Sequence, residues 1–115
     1  ILGNDLKRIV DLALTRGIKP HVEVHDKAEL ADALNTGARI IGVNNRNLNT
    51  LTVDLSTSEH LVPLIPADRI IISESGTRSP ADAVRMIRAG ADAILVGTAV
   101  MDAPFDLTKG LVDAL

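Results

Sequence analysis

Apolar residues recur along this chain in two alternating periods. From Asn4 to Arg16, Leu6, Ile9, Val10, Ala13 and Leu14 fall at helical spacing, with Asn4 placed to cap the start and Gly17 to end it. Lys19 to His25 is short, β-branched and alternating, which predicts a strand. Asp26, with Glu29 three residues later, makes a capping-box signal ahead of Leu30, Ala31, Ala33 and Leu34, and Gly37 is placed to end that helix. Ile40 to Val43 predicts a second strand, left through the polar loop Asn44-Asn45-Arg46-Asn47. Ser56 with Glu59 repeats the capping pattern before Leu61, Leu64 and Ile65, although Pro63 should shorten or kink this helix. Ile70 to Ser73 predicts a third strand. Ser79-Pro80 then supplies an N-cap and a first-turn proline for a helix whose stripe is Ala83, Val84, Met86 and Ile87, leaving Arg85 and Arg88 to solvent. Gly90 stops that helix, Ala93 to Val96 predicts a fourth strand, and Phe105 to Leu115 a last amphipathic helix after Pro104.

The segments from Gly37 to Gly42 and from Gly90 to Leu95 look like two copies of one helix-end-to-strand device, which favours repeated βα units around a parallel sheet. The expected class is α/β, specifically half of a (β/α)8 barrel: about four βα units preceded by a helix. A closed barrel of that kind takes about 250 residues. The 115 residues here therefore make one incomplete domain over 1–115, with two hydrophobic sheet edges left open. Such a half is expected to need a partner, either a missing N-terminal half-barrel or a second copy in a homodimer.

Composition narrows the function. The chain is 46% hydrophobic, almost all of it Ile, Leu, Val and Ala, with one Phe and no Trp or Tyr, so aromatic stacking on bases is set aside. Net charge is −3 with the basic residues scattered, which gives no footprint for nucleic acid or anionic lipid and favours a small metabolite. The absence of Cys removes disulfides and thiolate chemistry. No apolar run approaches a bilayer span, so the expectation is a cytoplasmic protein without a membrane partner.

The candidate chemistry lies at the strand ends. Side chains alternate along a strand, so Glu23, with His21 and His25, points away from the face that Val22 and Val24 share, toward the side without helices. By the same parity Asn44 shares a face with Ile40 and Gly42, and Glu74 with Ile70 and Ile72. The C-terminal ends of parallel strands are where barrels place their chemistry, so the three polar side chains can converge there. A structural reading stands beside each: an ion pair within the barrel for Glu23, a loop-entry hydrogen bonder for Asn44, and the shoulder of a Ser75-Gly76 turn for Glu74. Gly76 and Gly97 each follow a strand, with Ser75 and Thr98 beside them, which matches the usual barrel phosphate site between the last two strands and makes this the C-terminal half. His21, His25 and His60 form no convincing ligand set, so no metal is expected.

The runs Val22-Glu23-Val24-His25-Asp26, Ile41-Gly42-Val43-Asn44-Asn45-Arg46-Asn47-Leu48, Ser73-Glu74-Ser75-Gly76 and Leu95-Val96-Gly97-Thr98-Ala99-Val100-Met101 resemble, in order, indole-3-glycerol phosphate synthase. The resemblance implies a cofactor-free carbon-carbon lyase of tryptophan biosynthesis. It decarboxylates and dehydrates 1-(2-carboxyphenylamino)-1-deoxyribulose 5-phosphate while closing the pyrrole ring. It further implies Glu23 as the acid/base carboxylate, Asn44 and Glu74 holding the substrate's hydroxyls and anilino part, and Arg46 and Ser75 binding substrate. Gly76, Gly97 and Thr98 would hold its phosphate. Thr77 departs from the family's usual aliphatic residue, and Asp102 from a basic or small one. The catalytic lysines implied by the resemblance belong to the N-terminal half, so the chain alone is expected to be inactive. The competing expectations are a non-catalytic phosphate-binding scaffold and another phosphate-binding barrel such as phosphoribosylanthranilate isomerase, against which the Asn-Asn-Arg-Asn-Leu run stands.

Overall fold

A computed structural model of the chain describes residues 3–97 and 112–113. Nine elements follow in order: α1 (Gly3–Thr15), β1 (His21–Val24), α2 (Lys27–Leu34), β2 (Ile40–Asn44), α3 (Ser56–Leu61), a 3₁₀ turn (Val62–Leu64), β3 (Ile70–Glu74), α4 (Pro80–Ala89) and β4 (Ala93–Leu95). The strands form one parallel sheet in the order β1-β2-β3-β4, each pair joined through helix, which is the arrangement of successive units in a (β/α)8 barrel. The expected strands and the first helices stand where periodicity put them. The last helix lies almost wholly outside the described residues, of which Val112 and Asp113 are helical.

Helix ends show which local signals act. Gly17, at φ 74°, closes α1 with Ile18 N–H donating to Ala13 and Gly17 N–H to Leu14, the paired bonds of a Schellman end. Asn4, expected as the cap, lies inside α1. Asp26 caps α2 by accepting from the Glu29 amide at 2.8 Å, while Glu29 reaches back to the amide of His25. Gly37, expected to stop α2, does not: the helix ends at Leu34 with Asn35 in right-handed geometry. What Gly37 supplies is clearance, since a Cβ there would stand 2.9 Å from Leu14 Cδ1 of α1. Ser56 is likewise not a cap. It is the first residue of α3, and the carboxylate of Asp54 accepts from its amide at 2.9 Å. Pro63 acts as expected, the α-helix passing into 3₁₀ geometry at Val62. Ser79 caps α4, Pro80 opens it, and Gly90 ends it at φ 115°.

The core lies between sheet and helices. Val22, Val24, Ile41, Val43 and Ile71 point into it and meet Leu30 and Ala33 of α2, Leu61 of α3 and Val62 of the 3₁₀ turn. Each such side chain contributes roughly 1.5–3 kcal/mol by leaving water. In α1 Val10 is buried and Leu6 packs against the core, whereas Ile9 and Leu14 of the expected stripe remain exposed, Leu14 with its Cδ1 close to Gly37. The base of the sheet is pinned by polar groups. Arg69 donates to the carbonyls of Ala38 and Leu34 at the end of α2, and Asp92 accepts from the Ile71 amide at 2.8 Å while returning its own amide to the Ile71 carbonyl. The two Gly-Ala copies are alike in burying Ala38 and Ala91 before their strands. They differ in that only Gly90 adopts the left-handed conformation.

Candidate functional site

With the helices taking one face of the sheet, the other face collects the alternate residues. Glu23 is exposed between the buried Val22 and Val24. Register sets Glu23 beside Gly42, and Asn44 beside Glu74, so the expected trio does meet at the C-terminal ends of β1, β2 and β3. The Asn44 amide donates from Nδ2 to Glu23 Oε1. Its orientation is set from the other side, because Asn44 Oδ1 accepts the Arg46 amide at 2.9 Å. His25 Nε2 stands 3.4 Å from the same Glu23 oxygen, with its Nδ1 held 3.0 Å from Glu29. Among the described residues no Lys or Arg pairs with Glu23, and the ionisable group beside it is His25.

Glu74 has a different environment. It is buried, and His21 Nε2 lies 3.0 Å from its Oε1. Burial raises its pKa, the negative charge of Glu23 raises it further, and His21 and His25 pull it back. A carboxyl with a raised folded pKa adds stability that is present at low pH and lost as pH climbs through that pKa, so ionised Glu74 is a cost to the fold at neutral pH. Buried charge kept at a strand end suits chemistry better than stability.

Beside these carboxylates is a cavity of about 300 Å³ lined by Arg46, by residues 75–78 and by residues 95–97. Arg46, Ser75, Gly76 and Gly97, named from sequence, are thus brought together; Thr98 lies outside the described residues. Arg78 was not anticipated, and with Arg46 it puts two guanidinium side chains on the cavity. Ser75 and Gly76 are both left-handed, at φ 67° and 87°. Ser75 holds that strained geometry with its carbonyl accepting from Asn45 Nδ2 at 3.0 Å. The buried Thr77 Oγ1, on the same cavity, has no hydrogen-bond partner among the described residues.

The two glycines differ physically. A Cβ on Gly76 would stand 2.4 Å from Val53 Cγ1 and 3.0 Å from Leu55 Cδ2, on top of the left-handed strain, whereas one on Gly97 meets nothing within 4 Å among the described residues. Gly76→Ala is therefore expected to cost about 2–4 kcal/mol from strain plus overpacking, with Gly97→Ala near neutral. Thermal unfolding of the two variants side by side checks the contrast, and equal midpoints would refute it.

Asn45 is the residue sequence reading missed most. It is 2% exposed, and its amide uses every hydrogen-bonding position: Oδ1 accepts from the Ser58 amide and hydroxyl, and Nδ2 donates to Ser73 Oγ and the Ser75 carbonyl. It joins β2, α3 and the loop after β3 at one point. Beyond it, Arg46 and Val53 bridge antiparallel and carry a loop whose Leu48 and Leu51 are exposed next to the site.

A sequence profile described as indole-3-glycerol phosphate synthase matches residues 1–111. The indole-3-glycerol phosphate synthase of Halobacterium salinarum is 50% identical over 114 residues, covering 98% of this chain and 45% of that protein. That of Caldanaerobacter subterraneus is 44% identical over 101 residues, covering 88% of this chain and 40% of the relative. The chain spans less than half the length of these relatives. Among solved structures, the Amycolatopsis orientalis BexX/CysO complex superposes with a TM-score of 0.75 at 17% identity, over 98% of this chain and 48% of that one. The native KDPGal structure superposes at 0.64 and 17% identity, over 94% of this chain and 50% of the other. These likenesses concern the fold alone. Among the described residues no helix is long and apolar enough to cross a membrane, and no cluster of His, Cys, Asp or Glu suits a metal ion.

Proposed function

Because this chain belongs to the indole-3-glycerol phosphate synthase family, we propose that it supplies the phosphate-binding half of a lyase site. That site decarboxylates and dehydrates 1-(2-carboxyphenylamino)-1-deoxyribulose 5-phosphate with closure of the pyrrole ring. The observation that carries the reading is the meeting of Glu23, Asn44 and Glu74 on one sheet face beside a cavity lined by Arg46, Arg78, Ser75 and Gly76. A substrate with a phosphate at one end and hydroxyls along its chain fits donors on one side and acceptors on the other.

In this mechanism the phosphate rests on the amides of Ser75, Gly76, Gly97 and Thr98, with Arg46 and Arg78 supplying charge. Glu23, steadied by Asn44 and His25, exchanges the proton that accompanies loss of the hydroxyl. Asn44 and Glu74 orient the substrate's hydroxyls and anilino nitrogen. The cation that accepts the developing negative charge of decarboxylation comes from lysines of a complementary N-terminal half, joined to this chain or paired with it. By itself the chain binds but does not turn over.

The indole-glycerol phosphate fluorescence assay tests this, on the chain alone and on the chain mixed with the N-terminal half of the Halobacterium salinarum relative. The expected result is turnover in the mixture only. Turnover by the chain alone would refute the need for the other half, and a correctly assembled but inactive mixture would favour a phosphate-binding scaffold.

A further inference from the structure

His21, at the start of β1, and Glu74, at the end of β3, are two strands apart and not level with one another. His21 is in register with Ile40, and Glu74 with Asn44. They meet over Gly42, which lies midway between those two positions on β2. A Cβ on Gly42 would stand 2.3 Å from His21 Nε2 and 2.7 Å from Glu74 Oε1, so the pair occupies the space that any other residue at 42 would fill. The Glu74 side chain is 7% exposed and that of His21 38%, so the carboxylate is the buried member of the pair.

We infer that His21 is a positioning residue for Glu74, fixing one carboxylate oxygen across the gap at Gly42 so that the other is presented to substrate. The inference rests on the reading that Glu74 holds substrate. A carboxylate that accepts hydrogen bonds from a substrate hydroxyl works best ionised and with its plane fixed. Among the described residues the charged or titratable groups that act on Glu74 are His21, Glu23 and His25, all from β1 or the residue after it, with the neutral Asn44 level with it on β2. Glu23 disfavours the ionised form. His25 is held through Nδ1 by Glu29, with its Nε2 3.4 Å from Glu23, which leaves His21 as the group in direct contact with Glu74 among the described residues.

The test uses the complete barrel. His21→Leu is expected to lower kcat/KM on the order of tenfold, the size of one charge-assisted hydrogen bond. It should also move the acidic limb of the pH profile upward, because burial and Glu23 then act on Glu74 with one counterweight fewer. His21→Gln keeps a donor but cannot take up a proton, and should recover part of kcat/KM while leaving the limb displaced. A carbon-13 carboxyl titration of Glu74 reads the contact without turnover, and its midpoint should rise in His21→Leu. If Glu74→Gln is strongly impaired while His21→Leu keeps wild-type kcat/KM and limb, the inference is overturned. If Glu74→Gln is fully active, the assignment of Glu74 to substrate fails instead. The carboxyl titration alone then decides on the contact, and an unmoved midpoint refutes it.

Discussion

Asn45→Ala is expected to destabilise the fold by about 3 kcal/mol, more than any other single side-chain truncation near the site, because it takes a partner from α3, β3 and the loop after β3 at once. The Ser58 amide loses its acceptor in a place too buried for water to replace it freely, and the half-buried Ser75 carbonyl loses its donor. Ser58 and Ser73 keep each other at 2.9 Å, which limits the loss. Asn45→Asp separates the amide's two roles. It retains an acceptor for Ser58 but turns a second oxygen toward Ser73 Oγ and the Ser75 carbonyl, and it buries a charge, so it should be at least as damaging. Urea unfolding followed by circular dichroism measures both. A loss under about 1 kcal/mol for either variant, less than one typical buried hydrogen bond, would mean that the loop after β3 is held by something other than this amide.

The second large effect is on activity. In the complete barrel, Glu23→Gln should reduce kcat by about 10²–10⁴, the range over which a positioned acid/base group contributes. Gln matches Glu in shape, so folding and substrate affinity should persist. The substituted amide does face a difficulty the carboxylate does not: Asn44 Nδ2 points at this side chain, and Asn44 cannot turn without giving up the Arg46 amide. The replacement would therefore present its carbonyl oxygen to Asn44 and its NH2 elsewhere, intact in place but unable to exchange the proton. Turnover within about tenfold of wild type, below what such a group supplies, would remove Glu23 from the chemistry and leave it a binding role.

Much of this arrangement was legible in the sequence. Side chains alternate with a period of two, so reading Val22 and Val24 as buried was enough to send Glu23 outward, and the same count put Asn44 and Glu74 on the matching face. The glycines after β3 and β4, with Arg46 and Ser75, reach one cavity, as barrel geometry implies. What failed to show is what depends on stagger between strands or on burial of a loop. The approach of His21 to Glu74 spans three strands and two levels, and no spacing in the chain encodes it. Asn45 reads as a polar loop residue because burial of its amide is a tertiary fact. Gly37 and Ser56 carried the right residue type for helix ends but were outcompeted locally, Gly37 by the earlier end of α2 after Leu34 and Ser56 by the carboxylate of Asp54.

The gap at Gly42 also ties together positions that change independently in the gene. A glycine-to-alanine replacement within a strand is ordinarily mild and often favourable to β structure. At 42 it would push against two side chains on two other strands, neither adjacent in sequence. The choices of residue at 21, 42 and 74 are therefore coupled: a side chain at 42 fits only where the residue at 21 is shorter, or where the imidazole at 21 or the carboxylate at 74 swings away, and a swing of the carboxylate takes it from the position the site uses.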